Sequence, residues 1–499
     1  MKEKLSTNLE TMNRPNLIYI LADDMGVGDV SYLSDHCKFS TPNLDRLGRE
    51  GLCFTDAHSS SSVCTPSRYS ILTGRYCWRT YLKQGVLFGG SSALLDDRIS
   101  TFPKLAKKRG YKTACVGKWH VGWDWAPKEG FENLSEESKT KETEWIDFSR
   151  PIKNGPQQAG FDHFYGICGS LDMPPYVYIK DDIPVEIPTE WGTQEEFGRP
   201  GPRMESLRAN NVLEHITSKA VQFVEEQKSD SPFFLYFPIT APHTPIAPAE
   251  EFLGKSGIGD YGDFCVEIDH RVGQILDALE RCGLEDDTMV IFTTDNGASR
   301  ACSPEELKEA YDHRCSHIYR GYKSDIWDGG HRIPFMVRWP KGISPSTYCH
   351  DPIGIFDTIA TFADLWGMTL KKDEAPDAFS FSKSFTGESL QERLLVHHSI
   401  DGQFSIRKGD WKLCRCPGSG GWSSPGDSVA RKKGHPEVQL YNLSEDVGEQ
   451  TNLAEHYPQK VQEMTEELHA LVIRDNPGLE PWIQINWLPE IPDLYITDD

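Results

Sequence analysis

Four apolar runs punctuate the chain as far as residue 297, and each ends in polar or charged residues. Asn16-Leu17-Ile18-Tyr19-Ile20-Leu21-Ala22 stops at Asp23-Asp24, and Lys112-Thr113-Ala114-Cys115-Val116 delivers Gly117-Lys118-Trp119-His120. Pro232-Phe233-Phe234-Leu235-Tyr236-Phe237-Pro238 leads to Ala241-Pro242-His243-Thr244-Pro245, and Thr288-Met289-Val290-Ile291-Phe292-Thr293-Thr294 to Asp295-Asn296-Gly297. Continuous apolar runs of this length are expected of strands buried on both faces of a sheet. Between them the period changes to that of helices. Thr41 to Leu47 opens a short helix closed by Gly51, Phe102 to Arg109 a second stopped by Gly110, and Arg208 to Gln227 a third. Asp263 to Arg281 places Phe264, Ile268, Val272, Ile275 and Leu279 on one face, which leaves Asp269 and His270 for the wet side or for local pairs. Leu52 to His58 reads as one further strand. This pattern predicts an α/β protein.

From about Asp377 the texture changes to short strands, Leu394 to Ile400, Phe404 to Arg407, Trp411 to Cys416 and Val438 to Asn442, closed by a helix from Pro458 to Ile473. The expected division is therefore a catalytic α/β domain over 1–376 and a smaller subdomain over 377–499, an antiparallel sheet with a helix. Two stretches escape the pattern. Residues 123–205 are long, irregular and rich in Trp, Pro, Gly and acids, as expected of a segment that covers a site. Gly418 to Gly426 reads as a flexible insertion near a pocket rim.

A length of 499 residues is enough for a large core plus a second unit. The formal charge of −23 argues against a nucleic-acid partner or an anionic membrane surface. An anionic substrate then requires a basic pocket inside an acidic shell, with local charge winning because salt screens beyond ~8 Å. Residues 1–14 are polar, and no apolar run is long enough to span a bilayer. The 13 cysteines are scattered without a Cys-x-x-Cys pair, so reduced thiols and a cytoplasmic location are expected, or a periplasmic one if a leader was removed.

The strand ends carry the candidate chemistry. Adjacent carboxylates at the mouth of an open α/β sheet are costly unless a cation shares them. If the strands ending at Asp23-Asp24 and Asp295-Asn296 are neighbours, the ligands are all oxygen, which suits Ca²⁺, or Mg²⁺, rather than zinc. Gly26-Val27-Gly28-Asp29-Val30-Ser31 nearly spells a dinucleotide fingerprint but lacks its third glycine. Lys118 and His120 share a face if the strand persists, so one can hold an oxyanion while the other moves a proton. His243 sits on a loop stiffened by two prolines. In Ser59-Ser60-Ser61-Ser62-Val63-Cys64-Thr65-Pro66-Ser67-Arg68, Thr65 is the expected N-cap and Pro66 the first helical residue, with the helix ending at Thr73-Gly74. Cys64 then lies by free backbone N–H groups at the positive end of a helix, with Arg68 one turn on, a setting for an anion.

Cys64-Thr65-Pro66-Ser67-Arg68 resembles the Cys-x-Pro-x-Arg motif of the formylglycine-dependent sulfatases (type I, arylsulfatase A-like bacterial glycan sulfatases of the alkaline-phosphatase superfamily). Gly117-Lys118-Trp119-His120 and Arg320-Gly321-Tyr322-Lys323 resemble further blocks of that family. Asp328-Gly329-Gly330-His331-Arg332-Ile333-Pro334 departs from its Glu-Gly-Gly-x-Arg-x-Pro block by Asp328 in place of Glu. The resemblance implies an alkaline-phosphatase-like sandwich, with a large central mixed sheet flanked by helices and a smaller C-terminal subdomain. It also implies that a maturating enzyme oxidises Cys64 to formylglycine, whose geminal diol attacks sulfur. Asp23, Asp24, Cys64, Asp295 and Asn296 would hold one Ca²⁺. Arg68, Lys118 and Lys323 would brace the sulfate, His243 would protonate the leaving oxygen, and His120 would take the proton of the second hydroxyl.

The implied substrate is a sulfated mono- or oligosaccharide, galactose or N-acetylgalactosamine, with 4-O ahead of 6-O. Candidate sugar contacts are Trp123, Asp124, Trp125, Asp172, Tyr176, Arg199, Arg300, His331, Arg332 and Trp487. A formylglycine-type phosphonate or phosphate monoester hydrolase and a non-catalytic glycan-binding relative are the alternatives. A cysteine phosphatase is set aside, because its Cys-x5-Arg loop is not the Cys-x3-Arg spacing found here.

Overall fold

The computed structural model describes residues 14–227 and 231–473. Its strands, in chain order, are β1 (Asn16–Ala22), β2 (Leu52–Phe54), β3 (Ala57–His58), β4 (Lys112–Lys118), β5 (His163–Ile167), β6 (Ile179–Lys180), β7 (Ile183–Pro184), β8 (Glu190–Gly192) and β9 (Gly201–Arg203). They continue as β10 (Phe233–Pro238), β11 (Thr288–Thr294), β12 (Phe335–Arg338), β13 (Thr347–Cys349), β14 (Ile353–Gly354), β15 (Leu394–His398), β16 (Phe404–Lys408), β17 (Trp411–Cys414) and β18 (Gln439–Asn442). All four apolar runs become strands of one ten-stranded sheet, ordered β13-β2-β12-β11-β1-β10-β4-β5-β6-β7. The five central strands from β11 to β5 run parallel, while β12, β2, β6 and β7 bring in antiparallel pairings. Every residue of β1, β10 and β11 is buried, which is why these strands carry no polar face.

The register sets the site. Ala22 lies opposite Thr294 and Leu21 opposite Pro238, so three neighbouring strands end at one level. Helices flank the sheet in two groups. Pro42–Arg49 and Val212–Glu225 pack on the long helix Asp260–Arg281, and Cys64–Thr73 packs with Phe102–Lys108 and Thr358–Leu365. Asp269 is not on the wet side of its helix. It is buried, and its carboxylate accepts the N–H groups of Asn43 and Leu44 at 2.9 and 2.8 Å. The Thr41 hydroxyl bonds Asp45 instead of the free N–H groups of Pro42–Arg49, so a carboxylate from a distant helix takes the capping role. Gly273 permits that approach, since a Cβ there would stand 2.8 Å from the Asn43 side chain. The single strand expected over Leu52 to His58 is broken at Thr55-Asp56 into β2 and β3.

The second sheet is an antiparallel meander, β15-β16-β17-β18, and Pro458–Ile473 packs on β16 and β17. Buried ion pairs tie the segment that leads into it to the α/β part of the chain. Asp377 takes Arg79 through Nε at 2.8 Å and Nη2 at 2.9 Å, and Asp357 takes Arg393. Asp377→Ala strips Arg79 of its bidentate carboxylate in a site where both side chains are 1% exposed. The expected cost is about 3–5 kcal/mol. A urea midpoint unchanged from the parent would contradict it.

Candidate active site

Asp23 and Asp24 leave the end of β1, and Asp295 and Asn296 leave β11 beside it. The Asp295 N–H donates to Ala22 O at 3.2 Å, the Asp24 N–H to Asp295 Oδ1 at 3.3 Å, and Asn296 Nδ2 to Asp24 Oδ1 at 2.8 Å. All four side chains are buried, and oxygens of the three carboxylates lie within 4.8 Å of one another. Asp24 adopts a left-handed φ of 69°, a conformation that aspartate tolerates better than most non-glycine residues. Asp23 Oδ1 and Asn296 Oδ1 are buried without a hydrogen-bond partner. Two orphaned oxygens beside a carboxylate cluster fit a hard cation, which would satisfy both at once.

Cys64 is 1% exposed and opens the helix Cys64–Thr73, with Val63 as its cap. The helix therefore starts two residues before the expected Pro66. Thr65 lies inside it, its hydroxyl accepting Leu87 N–H at 3.2 Å instead of capping. Gly74 ends the helix as expected, at a φ of 61°. The Cys64 thiol lies within 4.8 Å of ligating atoms of Asp23 and His243. Burial pushes its pKa up, against the pull of Lys118 and Lys323.

Three cations face these acids. Arg68 Nε donates to Asp295 Oδ2 at 2.9 Å, Nη2 stands in ion-pair contact with the same oxygen at 2.8 Å, and Nη1 bonds Lys118 O at 3.0 Å. Lys118 Nζ reaches Asp23 Oδ2 at 2.6 Å, and Lys323 Nζ reaches Asp24 Oδ2 at 2.8 Å. Burial works against the Asp23 charge, but Lys118, His243 and Arg68 outweigh it and hold that carboxyl well below its ordinary range. Asp295 goes the other way, raised by burial and by the Asp23 charge. Three carboxylates and three cations cancel formally, so a divalent ion leaves the pocket positive. That is the basic interior an anionic ester needs inside a chain of charge −23.

Two histidines complete the pocket. His120, also left-handed at a φ of 56°, directs Nε2 at Leu87 O at 2.8 Å. Its Nε2 therefore carries the proton, and its buried, unpartnered Nδ1 is the basic nitrogen. His243 donates from Nδ1 to Thr244 O at 2.7 Å, and its Nε2 faces Asp24 at 3.7 Å and Ser170 Oγ at 3.5 Å. Burial, and after it the Lys323 charge, lowers the proton affinity of His243. Ser170 and Leu87 belong to no motif. Only the fold brings them here.

The expected sugar contacts are placed differently. Trp123 is 1% exposed and packs edge-on against Trp125 and Phe164, while Tyr176 stacks on Phe197 and bonds Arg199 O. Asp124 is engaged by Ala93 N–H and Asn154 Nδ2. These side chains pack and hydrogen-bond within the covering segment. His331 and Arg332 are also removed from it. His331 is fully buried among histidines, and Arg332 pairs with Asp56 and Asp328, because the turn that follows Asp328 points both toward the second sheet. Trp487 lies outside the described residues. Asp172 Oδ1 is buried without a partner, and exposed Arg300 contacts Ser423 and Glu305. The glycine-rich stretch is not loose: Ser419 O accepts Ile326 N–H, and Trp422 and Ser423 N–H bond Ser324 and Asp325. It leaves the Trp422 ring exposed, with its backbone N–H on the hydroxyl of Ser324, the residue after Lys323.

A mixed sheet whose central strands end in a cluster of three carboxylates and an amide, beside a helix-terminal cysteine and three buried basic side chains, is suited to a hydrolase of anionic esters. The sulfatase family model matches residues 15–368, and the chain belongs to that family, the sulfuric ester hydrolases. It is 32% identical to the N-acetylgalactosamine-6-O-sulfatase of Bacteroides thetaiotaomicron over 94% of this chain and 95% of that protein. It is 31% identical to human arylsulfatase A, over 90% and 85% respectively. A solved sulfatase from the metabolism of multiple glycosaminoglycans by Bacteroides thetaiotaomicron superposes with a TM-score of 0.80 at 30% identity, covering 93% of this chain and 100% of that one. A phosphonate monoester hydrolase of Agrobacterium radiobacter shares the fold alone, at 18% identity and a TM-score of 0.58 over 92% of this chain and 95% of that one. Among the described residues no helix is long and apolar enough to cross a membrane.

Proposed function

We propose that the chain is an exo-acting carbohydrate sulfatase that removes sulfate from the 6-O position of N-acetylgalactosamine or galactose, with Cys64 matured to formylglycine and one Ca²⁺ bound. The observation that carries this reading is Cys64 at a helix N-terminus, within 4.8 Å of Asp23 and His243 and facing Lys118 and Lys323. The choice of 6-O over 4-O is supported by similarity to N-acetylgalactosamine-6-sulfatases, and it reverses the order suggested by the family resemblance.

Asp23, Asp24, Asp295 and Asn296 would hold the ion, which offers a Lewis acid for one sulfate oxygen and for a hydroxyl nucleophile. The matured side chain supplies that hydroxyl as a hydrated aldehyde. Arg68, Lys118 and Lys323 are placed to bind the remaining sulfate oxygens as charge builds on them. The negative charge of a bound ester offsets Lys323 beside His243, so Nε2 holds a proton more firmly and can pass it to the leaving sugar oxygen. His120 Nδ1, with its lone pair free, is the base that resets the site.

A panel of monosulfated sugars is expected to give sulfate release first from 6-O-sulfated N-acetylgalactosamine. An aryl sulfate is expected to exceed the matching phosphonate ester in kcat/KM by about 100-fold or more. Preference for the phosphonate would assign the chain to the other hydrolase class that this fold houses.

A further inference from the structure

Behind the Cys64 loop, His58 of β3, His331 of the turn after Asp328, and His397 of β15 converge where the two sheets meet. Each offers a ring nitrogen within 4.8 Å of the others, and all three are buried to within 1%. The other nitrogen of each ring has an acceptor in reach: His58 Nε2 has Asp56 Oδ1 at 2.7 Å, nearer than Arg407 Nη1 at 3.2 Å, His331 Nε2 has Ile326 O at 3.2 Å, and His397 Nδ1 has Ser405 Oγ at 3.3 Å. Three imidazoles whose outward N–H groups go to a carboxylate, a carbonyl and a hydroxyl have the outer hydrogen-bond pattern of a metal-ligating histidine set.

Their inward nitrogens are then the lone pairs. His58 Nδ1 and His331 Nδ1 stand 2.9 Å apart, and His397 Nε2 is buried with no hydrogen-bond partner. A metal-free assignment exists, with Lys412 donating to His331 Nε2 at 3.1 Å and His331 Nδ1–H to His58. It leaves His397 Nε2 orphaned and turns a second lone pair on the Ile326 carbonyl, whereas a shared cation resolves both. Asp56, Asp328 and Glu449 face Arg332, Arg407 and Lys412 in formal balance, so a divalent ion would leave the cluster positive, and the Asp56 carboxylate on His58 Nε2 is the group placed to share that charge; Lys412 is already held by Asp328 and Glu449 at 2.7 Å each.

We propose that His58, His331 and His397 form a second metal site, for zinc, distinct from the oxygen site at Asp23 and Asp24. Imidazole nitrogens select zinc over calcium, as the carboxylates do the reverse. The ion clips the strand that feeds the Cys64 loop to the Asp328 turn and to the second sheet, so its work is structural. Binding needs no covalent or redox step, and the three rings are held neutral by burial.

The test is metal analysis of tag-free full-length protein from zinc-supplemented growth, dialysed into chelator-free buffer that contains calcium. About one zinc per chain is expected, falling below ~0.1 in His397→Gln while calcium content is unchanged. Folded parent with less than ~0.1 zinc per chain, or a His397→Gln variant that keeps its zinc, overturns the proposal. If the variant does not fold, zinc-edge absorption of the parent decides: three imidazole nitrogens at about 2.0–2.1 Å uphold the site, and a sulfur or all-oxygen shell refutes it.

Discussion

Cys64→Ala is expected to give a folded, calcium-binding protein whose sulfate release falls by about 10⁴-fold or more. The side chain is buried at the start of a ten-residue helix whose cap is the Val63 backbone, so losing one sulfur atom leaves the helix intact. A small-to-smaller change at a buried site costs on the order of 1 kcal/mol, well short of unfolding. Arg68, Lys118 and Lys323 would still bind a sulfate ester, because none of them depends on the thiol for its own partner. Substrate affinity should therefore survive while turnover disappears, which separates a missing nucleophile from a collapsed pocket. The parent peptide carrying Cys64 is expected to be lighter by about 18 Da, the difference between a thiol and an aldehyde side chain. Unchanged sulfate release by the Ala variant would dismantle the mechanism, whatever the mass measurement gave.

What the chain's pattern made legible was whatever local chemistry dictates. Buried parallel strands have to be apolar on both faces, so β1, β4, β10 and β11 announce themselves, and ligands gather where such strands end. That takes Asp23-Asp24 and Asp295-Asn296 to the mouth of the sheet, and the pairing of β1 with β11 then brings them together. The covering segment was harder. A tryptophan in an irregular stretch reads equally as a sugar platform or as the stretch's own small core, and Trp123 with Phe164 and Trp125 turned out to be the core. His331 and Arg332 sit in a motif with a functional neighbour, but motif spacing does not fix direction. A four-residue helical turn, Asp328–His331, swings both toward the second sheet. Asp269 failed for a related reason: the partner that makes a buried carboxylate affordable is a helix end 226 residues away.

Asp295→Asn is expected to separate the site's stability from its activity. In the ion-free protein three carboxylates share one buried space, and Asp295 bears most of the repulsion: burial and the Asp23 charge raise its pKa to about 7 despite Arg68. A carboxyl whose folded pKa lies above its ordinary value of about 3.9 contributes stability below that value and loses it as pH rises through the folded pKa. Ion-free parent should therefore weaken between about pH 4 and pH 7 by more than the amide variant, which keeps the similarly raised Asp269 and Glu449 but has nothing to ionise at residue 295. Calcium reverses the ranking. At 100 times its Kd a ligand bound only by the native state adds about 2.7 kcal/mol, and the parent alone should show that gain in thermal melts. Activity should fall by about 10³-fold in the variant, since the ion and Arg68 both lose their anchor. An equal calcium-dependent shift in both proteins would mean that Asp295 is not a ligand, and the oxygen site would then have to be rebuilt around Asp23, Asp24 and Asn296 alone.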